Sequence, residues 1–556
     1  MITACLACSQ ARATVAPAPD FGPNVVVIDP GAPGAQQRLD ELFKTQQKAE
    51  FDDRRYAVLL KPGRHELNIK VGYYTQVLGL GQNPDDVDVQ GTVGVGDYNG
   101  SSLVNFWRSV ENLSINPGGH AANVWSVSQA SPFRRVHVRG DLALFESGYS
   151  SGGFLADTKI DGKVSSGSQQ QYFSRNCEWG QWNGGVWNMV FVGTPNAPSG
   201  EWPGKPYTVV PTTPLAREKP YLTLGNDGQH AVVVPGLRRD SSGVSWADPT
   251  SPKRTLPLSA FHIADARRDT ADTLNAALAA GKHLLLTPGI YRLTEPLRLT
   301  RARTVVMGLG YATLLPTAGT TALTVADVDG VTIAGLLLDA GAVESPALLE
   351  VGTLGRKADH SKDPTALFDL FCRVGGAAIG KTKASVVVHS RHVLCDHLWL
   401  WRADHGTGAI WEQNTNANGL VVNGDDVTCY GLFVEHAQQY QTLWNGERGR
   451  VYFYQCEVPY DPPGNEAWGN DARGFAGYKV ADGVNTHQAL GLGVYCVFTK
   501  APVLLHSAIE APDKPGVVLR NMITVRLGGQ PGSGIVHTLN ERGDGATKEF
   551  STRLLK

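Results

Sequence analysis

Three acidic residues stand at the ends of three consecutive apolar runs in the C-terminal half of the chain. Asp404 follows the run 398–403, Glu435 ends the run 430–434, and Glu457 ends the run 451–456. If each run is one rung of a coiled parallel sheet, neighbouring rungs lie about 4.8 Å apart. We therefore expect Asp404, Glu435 and Glu457 to form a ladder of carboxylates on one wall.

Such a ladder supports the hydrolysis of a glycosidic bond. Stacked carboxylates repel each other, so at least one should have a raised pKa and hold its proton near neutral pH. A protonated acid beside an ionised carboxylate is what this reaction requires. Glu457 is the candidate general acid, because its aromatic neighbours Tyr452, Phe453 and Tyr454 favour the neutral carboxyl by desolvation.

The other two carboxylates have less specific predicted roles. Glu435 is the candidate partner of the acid, either positioning or activating water or only tuning Glu457 electrostatically. Asp404 is a third catalytic candidate, although an Asp after a strand is also a common turn former.

An internal repeat predicts the elements that position these residues. Each copy consists of a strand, a short amphipathic helix, a second strand with a Pro-Gly turn, and a run of short strands. The first copy occupies 25–29, 35–47, 59–63 and 76–81, and the second occupies 260–265, 270–280, 284–289 and 305–310. Short Val/Ile/Leu-rich runs separated by Gly, Asn and Asp are typical of a parallel β-helix. The alternative, a β-sandwich, would favour hairpin signals between close strands.

The repeat also predicts the domain organisation. Residues 194–258 are rich in Pro, Ser and Gly, which indicates a connector between the two copies. We predict an all-β protein with two tandem right-handed parallel β-helix domains, 20–195 and 258–556, joined by a connector at 196–257. Two such rods packed side by side would form a cleft, and ligands commonly bind at domain interfaces.

Composition excludes several other classes of function. A net charge of −2 gives no electrostatic basis for binding nucleic acid or an anionic membrane surface. No apolar stretch reaches the roughly 18–20 residues of a transmembrane helix. Apart from Cys5 and Cys8 in the N-terminal leader, the cysteines form neither a CxxC pair nor a zinc spacing with His, so we predict no metal and no cofactor. Cys395, Cys429, Cys456 and Cys496 are expected to be small buried hydrophobic residues.

The first residues resemble the end of an export signal. Residues 11–13 have the small-x-small form of a cleavage site, and residues 2–5 resemble a lipoprotein box. We therefore assign 1–19 to a leader remnant and predict a secreted or cell-surface protein, with a lipid anchor as one form of attachment.

Five motifs, in order across both domains, resemble glycoside hydrolase family 55. They are Ser151-Gly152-Gly153-Phe154-Leu155-Ala156-Asp157, Gln170-Gln171-Tyr172-Phe173-Ser174-Arg175-Asn176, Trp399-Leu400-Trp401-Arg402-Ala403-Asp404-His405, Glu435-His436 with Tyr440-Gln441, and Glu457-Val458-Pro459-Tyr460. The family's usual Tyr-Gln after the last motif is replaced here by Asp461-Pro462. The resemblance implies tandem β-helices, attack on β-1,3-glucan from a chain end, inversion at the anomeric carbon, and Glu457 as the acid.

The same motifs supply candidate substrate-binding residues. Gln170 and Gln171 offer neutral hydrogen bonds for a sugar hydroxyl or the attacking water, or form a structural glutamine ladder. Trp399, Trp401 and Trp444 are candidates for stacking on sugar rings, although most tryptophans of large proteins lie in the core. His436 and Tyr460 complete the predicted set. His405 is expected to orient the acid that precedes it.

We therefore predict a monomeric, exo-acting, inverting glycoside hydrolase that cleaves polysaccharide or oligosaccharide β-glucan. The first alternative is a polysaccharide lyase, which would need a cation-binding carboxylate cluster and a basic residue, with Asp425, Asp426 and Arg402 as candidates. The second alternative is a non-catalytic glycan-binding surface protein, which would keep its binding activity without Glu457.

Overall fold

The computed structural model describes residues 19–97, 100–356, 358–548 and 552–555. Apart from Pro19, the predicted leader lies outside these residues. Within them, three α-helices of 12, 9 and 4 residues and two 3-10 helices, Pro84–Asp86 and Leu258–Ala260, accompany a chain that otherwise consists of strands and the loops between them.

The first domain is a coil of parallel strands. Its main path is formed by nine strands in which each pairs with the next rung, for example Val26 with Val58 and Val58 with Val77. The strands of this path are Val25–Ile28, Tyr56–Leu60, Thr75–Gly79, Arg108–Asn116, Pro132–Val138, Phe154–Ala156, Gln171–Arg175, Asn188–Val192 and Tyr207–Val210. Other faces carry Gly63–Glu66, Ile69–Lys70, Val87–Gln90, Val93–Gly94, Asn123–Val124, Leu142–Ala143, Lys159–Ser165 and Glu178–Asn183.

The second domain is a longer coil with two well-defined faces. One sheet contains Phe261–Ala264, His283–Leu286, Ile290–Leu293, Val305–Gly308, Thr313–Pro316, Thr332–Asp339, Ala366–Val374, Leu394–Arg402, Thr428–Glu435, Gly449–Glu457, His487–Phe498, Val517–Gly529 and Thr552–Leu555. The other contains Leu297–Leu299, Leu323–Val325, Leu349–Val351, Thr382–Val388, Asn416–Val422, Thr442–Trp444, Tyr478–Val480, Leu504–Glu510, Gly534–Leu539 and Arg542–Asp544. The prediction of two parallel β-helices is therefore correct.

The predicted repeat corresponds to the first turn of each coil. The helices Ala35–Gln46 and Ala271–Ala279 each connect two parallel strands of neighbouring rungs. The second helix begins where the Thr270 hydroxyl accepts a hydrogen bond from the Thr273 amide, and it buries Leu274 and Leu278 against the coil. Each helix thus covers the open end of a hydrophobic core.

The segment between the coils is folded into small antiparallel sheets. Its strands are Thr213–Ala216, Tyr221–Leu224, His230–Pro235, Arg238–Ser241 and Lys253–Pro257. The first coil extends to Val210, past the expected boundary at 195, because a Pro- and Gly-rich loop interrupts the chain before the last parallel strand.

The two coils meet along a column of residues with left-handed backbone. Each long strand of the second coil has one such residue at equivalent positions, where the regular register of the sheet is interrupted. The column consists of Gly335, Asp369, His397, Gly431, Phe453, Gly491 and Asn521. The bend places His397 against Phe154, with ring centroids 4.3 Å apart, and Phe453 against Phe173 at 5.8 Å. This local bulge therefore joins the two coils and fixes their relative position.

Candidate active site

A cavity of about 570 Å³ lies between the two coils. Glu435 and Glu457 end neighbouring strands of the second coil and are direct register partners, so their carboxyl groups enter the cavity side by side. Gln129, Ser151 and Gln170 line the cavity from the first coil. The cavity thus brings together segments that are some 300 residues apart in the chain.

Asp404 joins this site in a different way from the one predicted. Its strand ends at Arg402, and the register partner of Glu435 on that rung is Trp401. Asp404 lies on the turn that follows, yet its side chain still lines the cavity. The carboxylate ladder therefore has two rungs, and Asp404 approaches it from the adjoining turn.

Two donors hold Glu435 in a fixed orientation. Gln129 Nε2 lies 2.8 Å from one carboxyl oxygen, and Trp399 Nε1 lies 2.7 Å from the other. The Ser151 hydroxyl donates to Gln129 Oε1 at 2.9 Å and so fixes the orientation of that amide. Glu435 is only 3% exposed, so most of its side chain is enclosed by the cavity wall.

Glu457 is more accessible than Glu435. The hydroxyl of Tyr460, three residues further along, donates to Glu457 Oε2. Gln455 Nε2 lies 3.4 Å from Oε1, which is long for a hydrogen bond. Oε1 is therefore the oxygen best placed to exchange a proton with a bound ligand.

Burial and neighbouring charges separate the pKa values of the three carboxyl groups. Burial, opposed by the Tyr460 hydrogen bond and assisted by the charge of Asp404, raises the pKa of Glu457 to about 7. Burial and the Glu457 charge raise the pKa of Glu435 well above its ordinary value. Although burial acts in the opposite direction, the His405 hydrogen bond and the nearby His436 lower the pKa of Asp404 to about 2. A protonated acid near neutral pH therefore lies beside an ionised carboxylate, as hydrolysis of a glycosidic bond requires.

Of the seven predicted substrate-binding residues, four line the cavity. They are Gln170, Trp401, His436 and Tyr460. His436 contacts the ring of Tyr460 edge-on, with centroids 4.4 Å apart, so these two side chains form one surface below Glu457.

The other three predicted binding residues do not face the cavity. Gln171 points to the opposite side from Gln170, is buried, and donates to the Ser151 carbonyl oxygen, because successive residues alternate about a strand. Trp399 is buried and contacts the Glu435 carboxylate instead of open space. Trp444 lies in the core of the second coil, 4.8 Å from the His487 ring. A sugar-stacking role is therefore wrong for Trp399 and Trp444, and direct binding is wrong for Gln171.

Several lining residues were not singled out from the sequence. Gln129 has no local signal, since it lies outside the five motifs, whereas Ser151 lies inside the first of them. Leu103, Tyr149, Val186, Trp187 and Leu527 form an apolar rim around the mouth of the cavity. Trp187 stacks on Tyr495 at 5.2 Å and also lines the cavity, where an indole ring suits the apolar face of a pyranose.

The residues proposed for a lyase are used elsewhere. Asp426 accepts two hydrogen bonds from Arg448, at 2.8 and 2.7 Å, and neither Asp425 nor Asp426 lines the cavity. Arg402 is paired with both oxygens of Asp461 at 2.9 Å. Among the described residues, no cluster of His, Cys, Asp and Glu has the arrangement of a metal site.

Comparisons with known proteins agree with this architecture. A family model described as the LAM55 pectate lyase-like domain matches residues 261–457. An exo-beta-1,3-glucanase of Streptomyces sp. (strain SirexAA-E / ActE) is 47% identical over 532 residues, covering 94% of this chain and 87% of that protein. The structure of sacteLam55A from Streptomyces sp. SirexAA-E has a TM-score of 0.94 at 44% identity, covering 97% of this chain and 98% of that one. A glutamate-to-alanine variant of sacteLam55A in complex with glucose has a TM-score of 0.93 with the same identity and coverage.

In the described part of the chain, no helix is both long enough and apolar enough to cross a lipid bilayer.

Proposed function

Because the chain belongs to glycoside hydrolase family 55, we propose that it hydrolyses β-1,3-glucan from a chain end. The observation that carries this proposal is the side-by-side placement of Glu457 and Glu435 in a cavity completed by the first coil. A relative that shares 47% of its sequence is an exo-beta-1,3-glucanase, and a closely similar structure holds glucose.

Glu457 is the general acid in this proposal. Its pKa of about 7 keeps it largely protonated under mildly acidic conditions. Oε1 donates the proton to the glycosidic oxygen as the bond to the anomeric carbon breaks, and the departing sugar leaves with a neutral hydroxyl. Asp404 stays ionised and disfavours a second negative charge on Glu457, which keeps the proton available.

The environment supports inversion at the anomeric carbon. Glu435 accepts hydrogen bonds on both oxygens and is almost completely buried, which does not suit a covalent nucleophile. Among the described residues that line the cavity from the first coil, the polar ones are neutral: Gln129, Ser151, Ser168 and Gln170, with the phenol Tyr149 at the rim. These groups suit a hydrogen-bonded water that attacks the anomeric carbon from the side opposite the departing oxygen and releases its second proton to solvent as the new C–O bond forms.

Two experiments test the proposed reaction. Incubation with β-1,3-, β-1,6-, β-1,2- and α-linked glucans and with uronates should release glucose from β-1,3-glucan alone, as resolved by chromatography. Proton NMR of the fresh product should show the α-anomer first. A retained β-anomer would indicate a double displacement, and unsaturated products that absorb in the ultraviolet would indicate a lyase.

The predicted localisation and oligomeric state are also proposals. Glucan polymers are too large to cross a membrane, which supports action outside the cell, as the residues at 1–19 suggest. Both walls of the cavity are formed by the two coils of the same chain, so we propose that a monomer is sufficient for activity.

A further inference from the structure

The first coil contributes a charged residue to the active site that does not itself line the cavity. Glu50 lies between the helix Ala35–Gln46 and the strand Tyr56–Leu60, in a short segment that reaches across to the second coil. Its carboxylate Oε1 is 2.8 Å from His405 Nε2. The other ring nitrogen, His405 Nδ1, is 3.0 Å from Asp404 Oδ1.

This arrangement determines the charge of His405 on geometric grounds. A neutral imidazole has only one N–H, whereas ionised carboxylates can only accept hydrogen bonds. Because both ring nitrogens face carboxylates, both hydrogen bonds form only when the ring is a doubly protonated imidazolium. The two negative charges raise the pKa of His405 to about 10, although its burial acts in the opposite direction.

The ring is also held by packing from both coils. Phe51, the neighbour of Glu50, lies 5.5 Å from the His405 ring and is parallel to Trp401 at 6.3 Å. The hydroxyl of Tyr74 donates to the Glu50 carbonyl oxygen and fixes the backbone of this segment. Glu50 is therefore presented to His405 by a rigid part of the first coil.

The charged and titratable surroundings of His405 form a short connected series. Glu50 and Asp404 contact its ring nitrogens, and beyond Asp404 lie His436, whose Nε2 is 3.9 Å from Asp404 Oδ1, and Glu457. Asp404 is a neighbour whose negative charge favours the protonated form of Glu457. A change at His405 therefore reaches the acid through Asp404.

We propose that Glu50 is a positioning residue of the active site: it keeps His405 as an imidazolium that holds Asp404, so that the first coil sets the charge beside the acid of the second. This inference rests on the proposed function, since it gives Asp404 and Glu457 the roles described above. It explains why the catalytic wall of the second coil is incomplete without a segment some 350 residues earlier in the chain.

The test is Glu50→Gln, which removes the charge while leaving an amide oxygen that can still accept from His405 Nε2. In a protein with ¹⁵N-labelled histidine, the His405 signal is identified as the one absent from His405→Gln. We expect the His405 pKa to fall by more than one unit in Glu50→Gln, because one of its two counter-charges is lost.

The kinetic consequence depends on pH. At about pH 5.5, where His405 is charged in both proteins, the loss of kcat on β-1,3-glucan in Glu50→Gln should be smallest. Deprotonation of Glu457 lowers kcat in both proteins above about pH 7. Above the new His405 pKa, the ratio of kcat in Glu50→Gln to kcat in the parent should fall further, by about tenfold one pH unit beyond that pKa. Glu50→Asp, which restores the charge, should return the profile most of the way to that of the parent.

A matched control is available at His360, which is also held by two carboxylates. Its Nδ1 is 2.7 Å from Asp329, its Nε2 is 3.0 Å from Asp327, and it does not line the cavity. Asp329→Asn should lower the His360 pKa without changing the pH profile of hydrolysis. An unchanged His405 pKa in Glu50→Gln would overturn the inference, as would a loss of activity that is uniform across pH. Because the titration needs no substrate, it stands even if β-1,3-glucan proves to be the wrong substrate.

Discussion

At the scale of single residues, the chemistry depends on how differently two adjacent glutamates are held. Glu435 accepts hydrogen bonds from Gln129 and Trp399, which fix its side chain in the cavity wall. Glu457 accepts a short hydrogen bond only from Tyr460, so its other oxygen is available to the ligand. The sequence placed both glutamates at the ends of apolar strands, and the structure brings both to the cavity on neighbouring strands. The sequence did not indicate Gln129, because the contact between Gln129 and Glu435 depends on how the two coils pack.

Tyr460 should set the pH at which activity is lost. Its hydrogen bond stabilises ionised Glu457 and lowers the pKa of that acid. Removing the hydroxyl in Tyr460→Phe should raise the Glu457 pKa above about 7, by roughly one unit for one hydrogen bond. Since the acid acts when protonated, the alkaline limb of kcat against pH should move to higher pH by the same amount.

Tyr440→Phe is the control for this prediction. The Tyr440 hydroxyl lies 3.5 Å from Glu510, outside the cavity. Its removal should leave the alkaline limb in place. If the alkaline limb of kcat against pH in Tyr460→Phe stays in place or moves to lower pH, Tyr460 does not lower the pKa of Glu457.

At the scale of elements, the left-handed column explains what the strand pattern could and could not predict. Apolar periodicity identified the strands, the two helices and the repeat. It could not show that one residue in each long strand leaves the regular backbone, since Asp369, His397 and Phe453 carry no common signal. The same limit explains Trp444. Short apolar runs such as 442–444 occur in both sheets of the second coil, and only the folded coil shows that this tryptophan faces the core.

Gly431 is a position where this column is tightly constrained by aromatic rings of the other coil. Its φ is +63°, and an added Cβ would lie 2.7 Å from a ring carbon of Phe154 and 3.2 Å from one of Phe173. Gly431→Ala should therefore lower the free energy of unfolding by about 2–4 kcal/mol, from overpacking and left-handed strain together. Urea denaturation followed by tryptophan fluorescence measures this change.

Gly118→Ala separates the two causes. Gly118 has a similar φ of +60° but no atom within 4 Å of the added Cβ. It should show only the backbone cost of about 1–2 kcal/mol. Equal losses for the two variants would mean that contact between the coils at Gly431 contributes nothing.

At the scale of the whole molecule, a buried network of charges joins the coils and the connector. The carboxylate of Asp369, in the second coil, accepts hydrogen bonds of 2.8–3.0 Å from Arg134 of the first coil. It also lies 3.0 Å from the ammonium group of Lys219 in the connector. Arg175 pairs with Glu218 at 2.7 Å and with Asp396 at 2.8 Å. Such networks cannot be inferred from a sequence, because their members are dispersed among unremarkable polar positions. They matter here because the active site exists only where the coils are in register.

Asp369→Asn tests the contribution of this network. Asn tolerates the left-handed φ of +47° at this position, so the substitution removes charge with little backbone strain. The positive charges of Arg134 and Lys219 then stay buried with less negative charge beside them, so the free energy of unfolding should fall by about 3–5 kcal/mol. Asp359→Asn, at a surface aspartate that is 67% exposed, should change stability by less than about 0.5 kcal/mol. A loss at Asp369 as small as that at Asp359 would refute a stabilising role.

The most direct test of the central claim is the turnover of Glu457→Gln on two substrates. If Glu457 protonates the departing oxygen, hydrolysis of β-1,3-glucan should fall by about 10²–10⁴-fold. Turnover of 2,4-dinitrophenyl β-glucoside, whose leaving group needs no proton, should fall far less, while circular dichroism shows the fold unchanged. Full activity on β-1,3-glucan, or an equal loss on both substrates, would contradict the assignment of Glu457 as the general acid.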